Sequence, residues 1–120
     1  MKLRLMEEIR PLSPQTLPEV HHWDSSDNGL LTSQALINKF KSMGYHCSVY
    51  TYPVGTYFPV HTHPVDKIDA VLEGKFCIKI FGKDVVLESG DWLIVPKGTP
   101  HSAQVVGSKP VTSIDAVRSG

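Results

Sequence analysis

The chain has 120 residues, 12 of them Lys or Arg and 12 Asp or Glu. That length suits one domain with one core, and the balanced charge lacks the basic face that nucleic acid and anionic membranes select, so neither is an expected partner. No apolar run approaches the length that spans a bilayer, and Glu7 and Glu8 interrupt the opening "MKLRLMEEIRPL" where a secretion signal would need an apolar core, which makes the cytoplasm the expected compartment.

Residues 11 to 29 read as irregular. Pro11, Pro14 and Pro18 fall close together, and "DSSDNG" from Asp24 to Gly29 is turn chemistry, with room for a short strand between them. His21 and His22 lie in this stretch and are expected to face water. One helix follows in "TSQALINKFKSMG". Thr32 or Ser33 can cap it, and Leu36, Ile37, Phe40 and Met43 form an apolar stripe at helical spacing. Gly44 suits its end, and Lys39 and Lys41 suit the negative pole of its dipole. The stripe is expected to pack, not to hold a cofactor.

From Tyr45 the texture changes to short runs rich in Val, Ile, Tyr and Phe: "YHCSVYTY", "TYFPVHTH", "KIDAVL", "KFCIKIF", "DVVLE", "DWLIVP", "HSAQVV" and "VTSIDAV". Gly or Pro marks most of the joins. Eight short strands with tight turns predict an antiparallel barrel or sandwich. Residues 1–44 then form an arm and a helix that pack on a barrel made by residues 45–120, one domain overall. Cys47 and Cys77 make no CxxC pair and are expected to be reduced, small strand residues. His46 is expected at the surface. Tyr50, Tyr52, Tyr57, Phe58, Phe76, Phe81 and Trp92 can line a pocket, but most are expected to fill the barrel.

His61 and His63 stand two apart, so on a regular strand both face one side. Two such imidazoles can converge on one ion at about 2.1 Å each. The turn from Pro96 to Pro100 reverses the chain and delivers His101 to the start of the next strand. His101, Ala103 and Val105 then share a face.

These residues carry a family resemblance. Gly55-x5-His61-x-His63, closing at Gly74, resembles the first cupin motif, and Gly90-x5-Pro96-x-Gly98-x2-His101 resembles the second. The resemblance runs from Gly55 to about Val105. It implies a mainly β fold, a double-stranded β-helix or jelly-roll, to which the one short N-terminal helix read above is added. It also implies a metal inside the barrel on His61, His63 and His101, and a homodimer packed through sheet edges. A three-His face with open positions suits a divalent transition metal, Fe, Mn, Ni or Zn, with sites that a small-molecule ligand can take.

The pattern breaks at Lys67, where the family carries an acidic ligand four residues after the second His. Asp66, one residue earlier, faces the other way on a regular strand. The final Asn of the second motif is replaced by Val105. An ammonium about 6 Å from a dication is repelled by about 5 kcal/mol at an effective dielectric near 20. Lys67 then becomes a base or ligand, swings into water, or is neutralised by a carboxylate. Asp69 shares its face on a regular strand, and Asp115 lies in the apolar run "VTSIDAV". Lys67 with Asp69, joined by Asp115, is therefore a candidate catalytic cluster beside the metal; the competing reading leaves Lys67 solvated and both acids at barrel ends. Three functions follow: a metal-dependent enzyme with dioxygenase- or isomerase-like chemistry on a small anionic or hydroxylated ligand; a cupin that binds such a ligand without chemistry; or a metal-free cupin in which Lys67 replaces the cation.

Overall fold

The computed structural model describes residues 17–119. In chain order, these residues form β1 (Glu19–His22), α1 (Ser25–Asn28), α2 (Ser33–Ser42), β2 (Tyr45–Tyr52), β3 (Tyr57–His61), β4 (Lys67–Glu73), β5 (Lys75–Ile80), β6 (Lys83–Leu87), β7 (Asp91–Val95), β8 (His101–Val106) and β9 (Val111–Arg118). The strands make two antiparallel sheets, one ordered β1-β7-β4-β9-β2 and the other β3-β8-β5-β6. The jelly-roll architecture is as the strand spacing and the family resemblance imply. Among the described residues no helix is long and apolar enough to cross a membrane.

Period-2 alternation in β4 and β9 sorts the core into two layers. Val71, Val111, Leu93 and Val95 point between the sheets and meet Phe76, Ile78, Ile80 and Leu87 from the other side. Ile68, Ala70, Ile114 and Ala116 point outward from the five-stranded sheet. Left bare, that second face would be an apolar patch. α2 covers it with Leu36 and Phe40, both fully buried. Thr32 Oγ1 accepts a bond from Ala35 N–H at the start of α2, and Lys39 and Lys41 lie in its last turn. Phe40 meets Trp92 edge-on at 5.6 Å. Of the predicted stripe, Met43 is left 40% exposed, because the helix ends at Ser42.

The stretch expected to be irregular holds more order than its composition suggests. β1 pairs with β7 along Glu19 to His22, and Asp24 caps the single turn α1 by accepting from Ser26 N–H. The prolines before Leu17 lie outside the described residues.

Gly74 separates β4 from β5 at φ 87°. A side chain there would drive into the backbone at Pro110 and Val111, so both the left-handed conformation and the close approach require glycine. This contact ties the β4–β5 corner to the start of β9, the strand that carries Asp115.

Candidate metal centre

His61 is the last residue of β3 and lies opposite His101, the first residue of β8. A bulge separates Phe58 from His61, so three residues on β3 span the two that separate Ala103 from His101. His63 lies beyond the end of β3, in the loop to β4. The expectation of two histidines on one regular strand is therefore corrected: a bulge and a strand end set the positions of His61 and His63. The chain after His63 is braced across the site. Its carbonyl accepts from Gly98 N–H at 2.8 Å, and Asp66 Oδ1 accepts from Lys97 N–H at 2.8 Å. The turn that delivers His101 is thus pinned to the loop that carries His63.

The three rings converge. Centroids are 4.7 Å apart for His61 and His63, 4.3 Å for His61 and His101, and 5.2 Å for His63 and His101. The potential ligand nitrogens all lie within 4.8 Å of one another. His61 Nδ1–H donates to Pro59 O at 2.6 Å and His101 Nδ1–H donates to Thr99 O at 2.9 Å. A ring whose Nδ1 carries the proton keeps its lone pair on Nε2, the tautomer a metal needs. His63 Nε2 is buried with no hydrogen-bond partner, an orphaned polar atom of the kind a bound ion satisfies. Burial, then the charge of Lys67 and the two neighbouring rings, push His63 down to about 4. Burial likewise lowers His101. Both are then neutral at pH 7, the form that ligates. The residues present fit a divalent transition metal bound by His61, His63 and His101.

Lys67 points inward at the start of β4, and its Nζ lies 2.5 Å from Asp115 Oδ1 in a charge pair, with the two side chains 11% and 22% exposed. Asp115 on β9 is the register partner of Asp69, not of Lys67, so the pair runs diagonally between strands. Asp69 lies in the same cavity. Burial drives its carboxyl up to about 6, against the pull of Lys67 and with a push from Asp115. Lys67, Asp69 and Asp115 line one cavity; Asp115 pairs with the lysine, while Asp69 makes no ion pair among the described residues. The solvated-lysine reading does not hold, since Lys67 is 9% exposed.

A cavity of about 170 Å³ opens onto these groups, with Tyr52, Phe58, Phe76, Ala103 and Ser113 completing its wall. Ser113 turns its hydroxyl away, donating to Ala70 O at 3.1 Å. The other aromatic candidates lie elsewhere. Trp92 packs under α2, Phe81 is half-buried against the inner core, and Tyr50 and Tyr57 are exposed. His21 stacks on Trp92 at 5.4 Å and His22 bonds Asp91 at 2.5 Å, both on the edge strand β1 and outside the cavity's lining, and His46 is exposed. Sequence reasoning missed Asp66 as the brace of the Lys97 turn. Its one visible signal was an acid placed before a β-strand whose inward face it could not join.

A two-sheet β-barrel with three inward histidines at one end, two of them cross-strand partners, defines a cupin-type fold with a candidate metal site. The sequence matches the family profile described as "Cupin domain" over residues 48–117, and the chain belongs to that family. A search of curated proteins returns no match. Among solved structures, the chain is similar to the DMSP lyase DddQ of Ruegeria pomeroyi DSS-3, with 27% identity and a TM-score of 0.57 over 63% of this chain and 39% of that one. It is also similar to an RmlC-like cupin of Shewanella frigidimarina NCIMB 400, with 26% identity and a TM-score of 0.55 over 62% of this chain and 65% of that one. KdgF of Halomonas sp. shares the fold at 20% identity and a TM-score of 0.56, over 64% and 72% of the two chains. The matches thus span less than two thirds of the lyase and of the Shewanella cupin.

Proposed function

We propose that this cupin binds a small anionic or hydroxylated organic molecule at a divalent transition metal held by His61, His63 and His101, and catalyses a proton transfer on it, as an isomerase or lyase does. The observation that carries the reading is the orphaned Nε2 of His63 facing two correctly tautomerised histidines, with the carboxyl of Asp69, which makes no ion pair among the described residues, in the same cavity. The metal, when bound, supplies Lewis acidity that polarises a ligand oxygen.

The chain's own residues do the rest. Lys67 carries three N–H donors and Asp115 occupies one side of its ammonium, so donors remain for a ligand carboxylate or hydroxyl. Asp115 also keeps that charge in place within the barrel. Asp69 accepts a proton from a C–H or O–H group and returns it to a neighbouring atom. Its carboxyl, pushed up to about 6, is close enough to neutrality to hold and release a proton at cellular pH. An acid raised toward neutrality beside the metal site favours acid–base chemistry over dioxygenation, and the identity shared with the DMSP lyase supports an eliminating or isomerising step. The metal-free alternative is weaker, because Asp115 already balances the charge that Lys67 would lend to an anion.

The test is proton exchange. Metal-loaded protein is incubated in D2O with a panel of small hydroxy and keto acids, and deuterium incorporation is followed by NMR. Exchange that needs the metal and is lost in Asp69→Asn, with ligand binding kept, supports the proposal. Binding without exchange for every acid leaves a binding module, and failure to take up metal removes the metal-dependent reading altogether.

A further inference from the structure

The cavity has a direction. On the four-stranded sheet His101 starts β8, and Ala103 follows two residues deeper on the same face, about 7 Å along the strand. Ala103 is the register partner of Phe58 on one side and Ile78 on the other. Phe58, Phe76 and Tyr52 then close the end away from the histidines, in mutual contact: 4.9 Å between Tyr52 and Phe58, 5.7 Å between Tyr52 and Phe76, and 6.2 Å between Phe58 and Phe76. Tyr50 stacks on Tyr52 from outside at 5.9 Å, so the rings are braced before any ligand arrives.

We infer that this braced aromatic end, floored by Ala103, is a specificity surface that selects a small carboxylate with a planar, unsaturated or aryl tail and discriminates against sugar acids and polyols. The inference rests on the metal-and-carboxylate reading above and deepens it.

A carboxylate placed at the histidines and Lys67 has its tail running along β8 over Ala103 toward the rings. That end of the cavity offers few polar atoms, the phenol of Tyr52 and the oxygen of Ser113, whose proton is already donated to Ala70 O. A polyol pressed there loses more hydration than these two groups can replace, which costs free energy for each further hydroxyl. A planar apolar tail gains contact with ring faces and edges already held in place, so little ordering is needed on binding. The cavity, about 170 Å³ in volume, suits a small ligand. Ala103 sets the depth. It is 7% exposed with a single carbon beyond the backbone, and any larger residue there would occupy the space the tail needs.

The experiment uses the full chain loaded with Mn(II) and titrates acetate, benzoate and gluconate by calorimetry. Benzoate is expected to bind at least tenfold more tightly than gluconate. Ala103→Leu is expected to weaken benzoate at least tenfold while Mn(II) and acetate affinities stay unchanged. Gluconate binding as tightly as benzoate overturns the inference, as does an Ala103→Leu variant that keeps benzoate affinity. If Ala103→Leu does not fold, Phe58→Leu serves: it removes one ring from a half-buried position and is expected to reduce the preference for benzoate over butyrate at least threefold. An unchanged preference there overturns the inference equally. Failure of the parent protein to bind Mn(II), or acetate in its presence, marks instead the failure of the metal-and-carboxylate reading, and the inference falls with it.

Discussion

Replacing Asp115 with Asn tests whether Lys67 is held by charge inside the barrel. At 2.5 Å the pair attracts by about 7 kcal/mol at an effective dielectric near 20. Desolvation of both groups offsets most of that, so the intact pair contributes little net stability. Breaking it is another matter. With Lys67 9% exposed, removal of its partner leaves a buried ammonium whose one remaining acid in the cavity is Asp69, itself raised toward neutrality, at a cost of about 3 kcal/mol. For a domain of this size that lowers Tm by roughly 12 °C. Lys67→Met strands the opposite charge, leaving Asp115 facing Asp69 across the strands, and is expected to cost a similar amount. The double variant Lys67→Met/Asp115→Asn removes both charges and is expected to be no less stable than either single variant, a coupling of about 3 kcal/mol. Urea denaturation followed by tryptophan fluorescence, with EDTA present so that metal plays no part, measures all four proteins. Additive losses would refute the reasoning, since they would mean that the two side chains do not sense each other.

Asp69 makes stability fall as pH rises. Its folded carboxyl is raised from 3.8 to about 6, so its contribution is intact below pH 3.8 and lost as pH passes 6, a change of about 3 kcal/mol. Asp69→Asn removes that loss, and the variant is expected to gain on the parent between pH 4 and about pH 6 and to hold that gain above it; a difference independent of pH contradicts the assignment. Gly74→Ala combines a positive φ with a clash against Pro110 and Val111 backbone and is expected to cost about 3 kcal/mol in the same denaturation assay. Phe40→Ala, at a fully buried position against Trp92, is expected to cost about 4 kcal/mol while leaving metal uptake at the three histidines intact.

Strand positions were legible because their signals are local. β2 and β8 begin and end where the Val- and Tyr-rich runs do, and the inward and outward faces of β4 follow from alternation alone. The short elements before α2 were only partly legible: room for a short strand and the turn at Asp24–Gly29 could be read, but not the pairing that orders the strand. β1 owes its order to pairing with β7, from Glu19 opposite Ile94 to His22 opposite Asp91, a distant partner that four residues of local sequence cannot announce. Convergence of the three histidines was foreseen, but the bulge after Phe58 and the end of β3 at His61 were not, because a regular-strand argument has no term for either. The pairing of Lys67 was half-read. Sequence spacing favours Asp69, two residues on, whereas the ammonium reaches diagonally to Asp115 on the neighbouring strand, and only the sheet register brings that residue near. The aromatic end of the cavity was also hidden. Which of seven aromatic residues face inward together depends on how three strands from two sheets meet.

The central claim, that His61, His63 and His101 hold one divalent metal, is tested most directly by an anomalous-difference map from crystals of protein loaded with a single equivalent of Mn(II). The account predicts one peak, about 2.2 Å from a nitrogen of each of the three rings and not bonded to Lys67 Nζ. A map with no peak among the rings, or with the ion bound elsewhere on the chain, would contradict it.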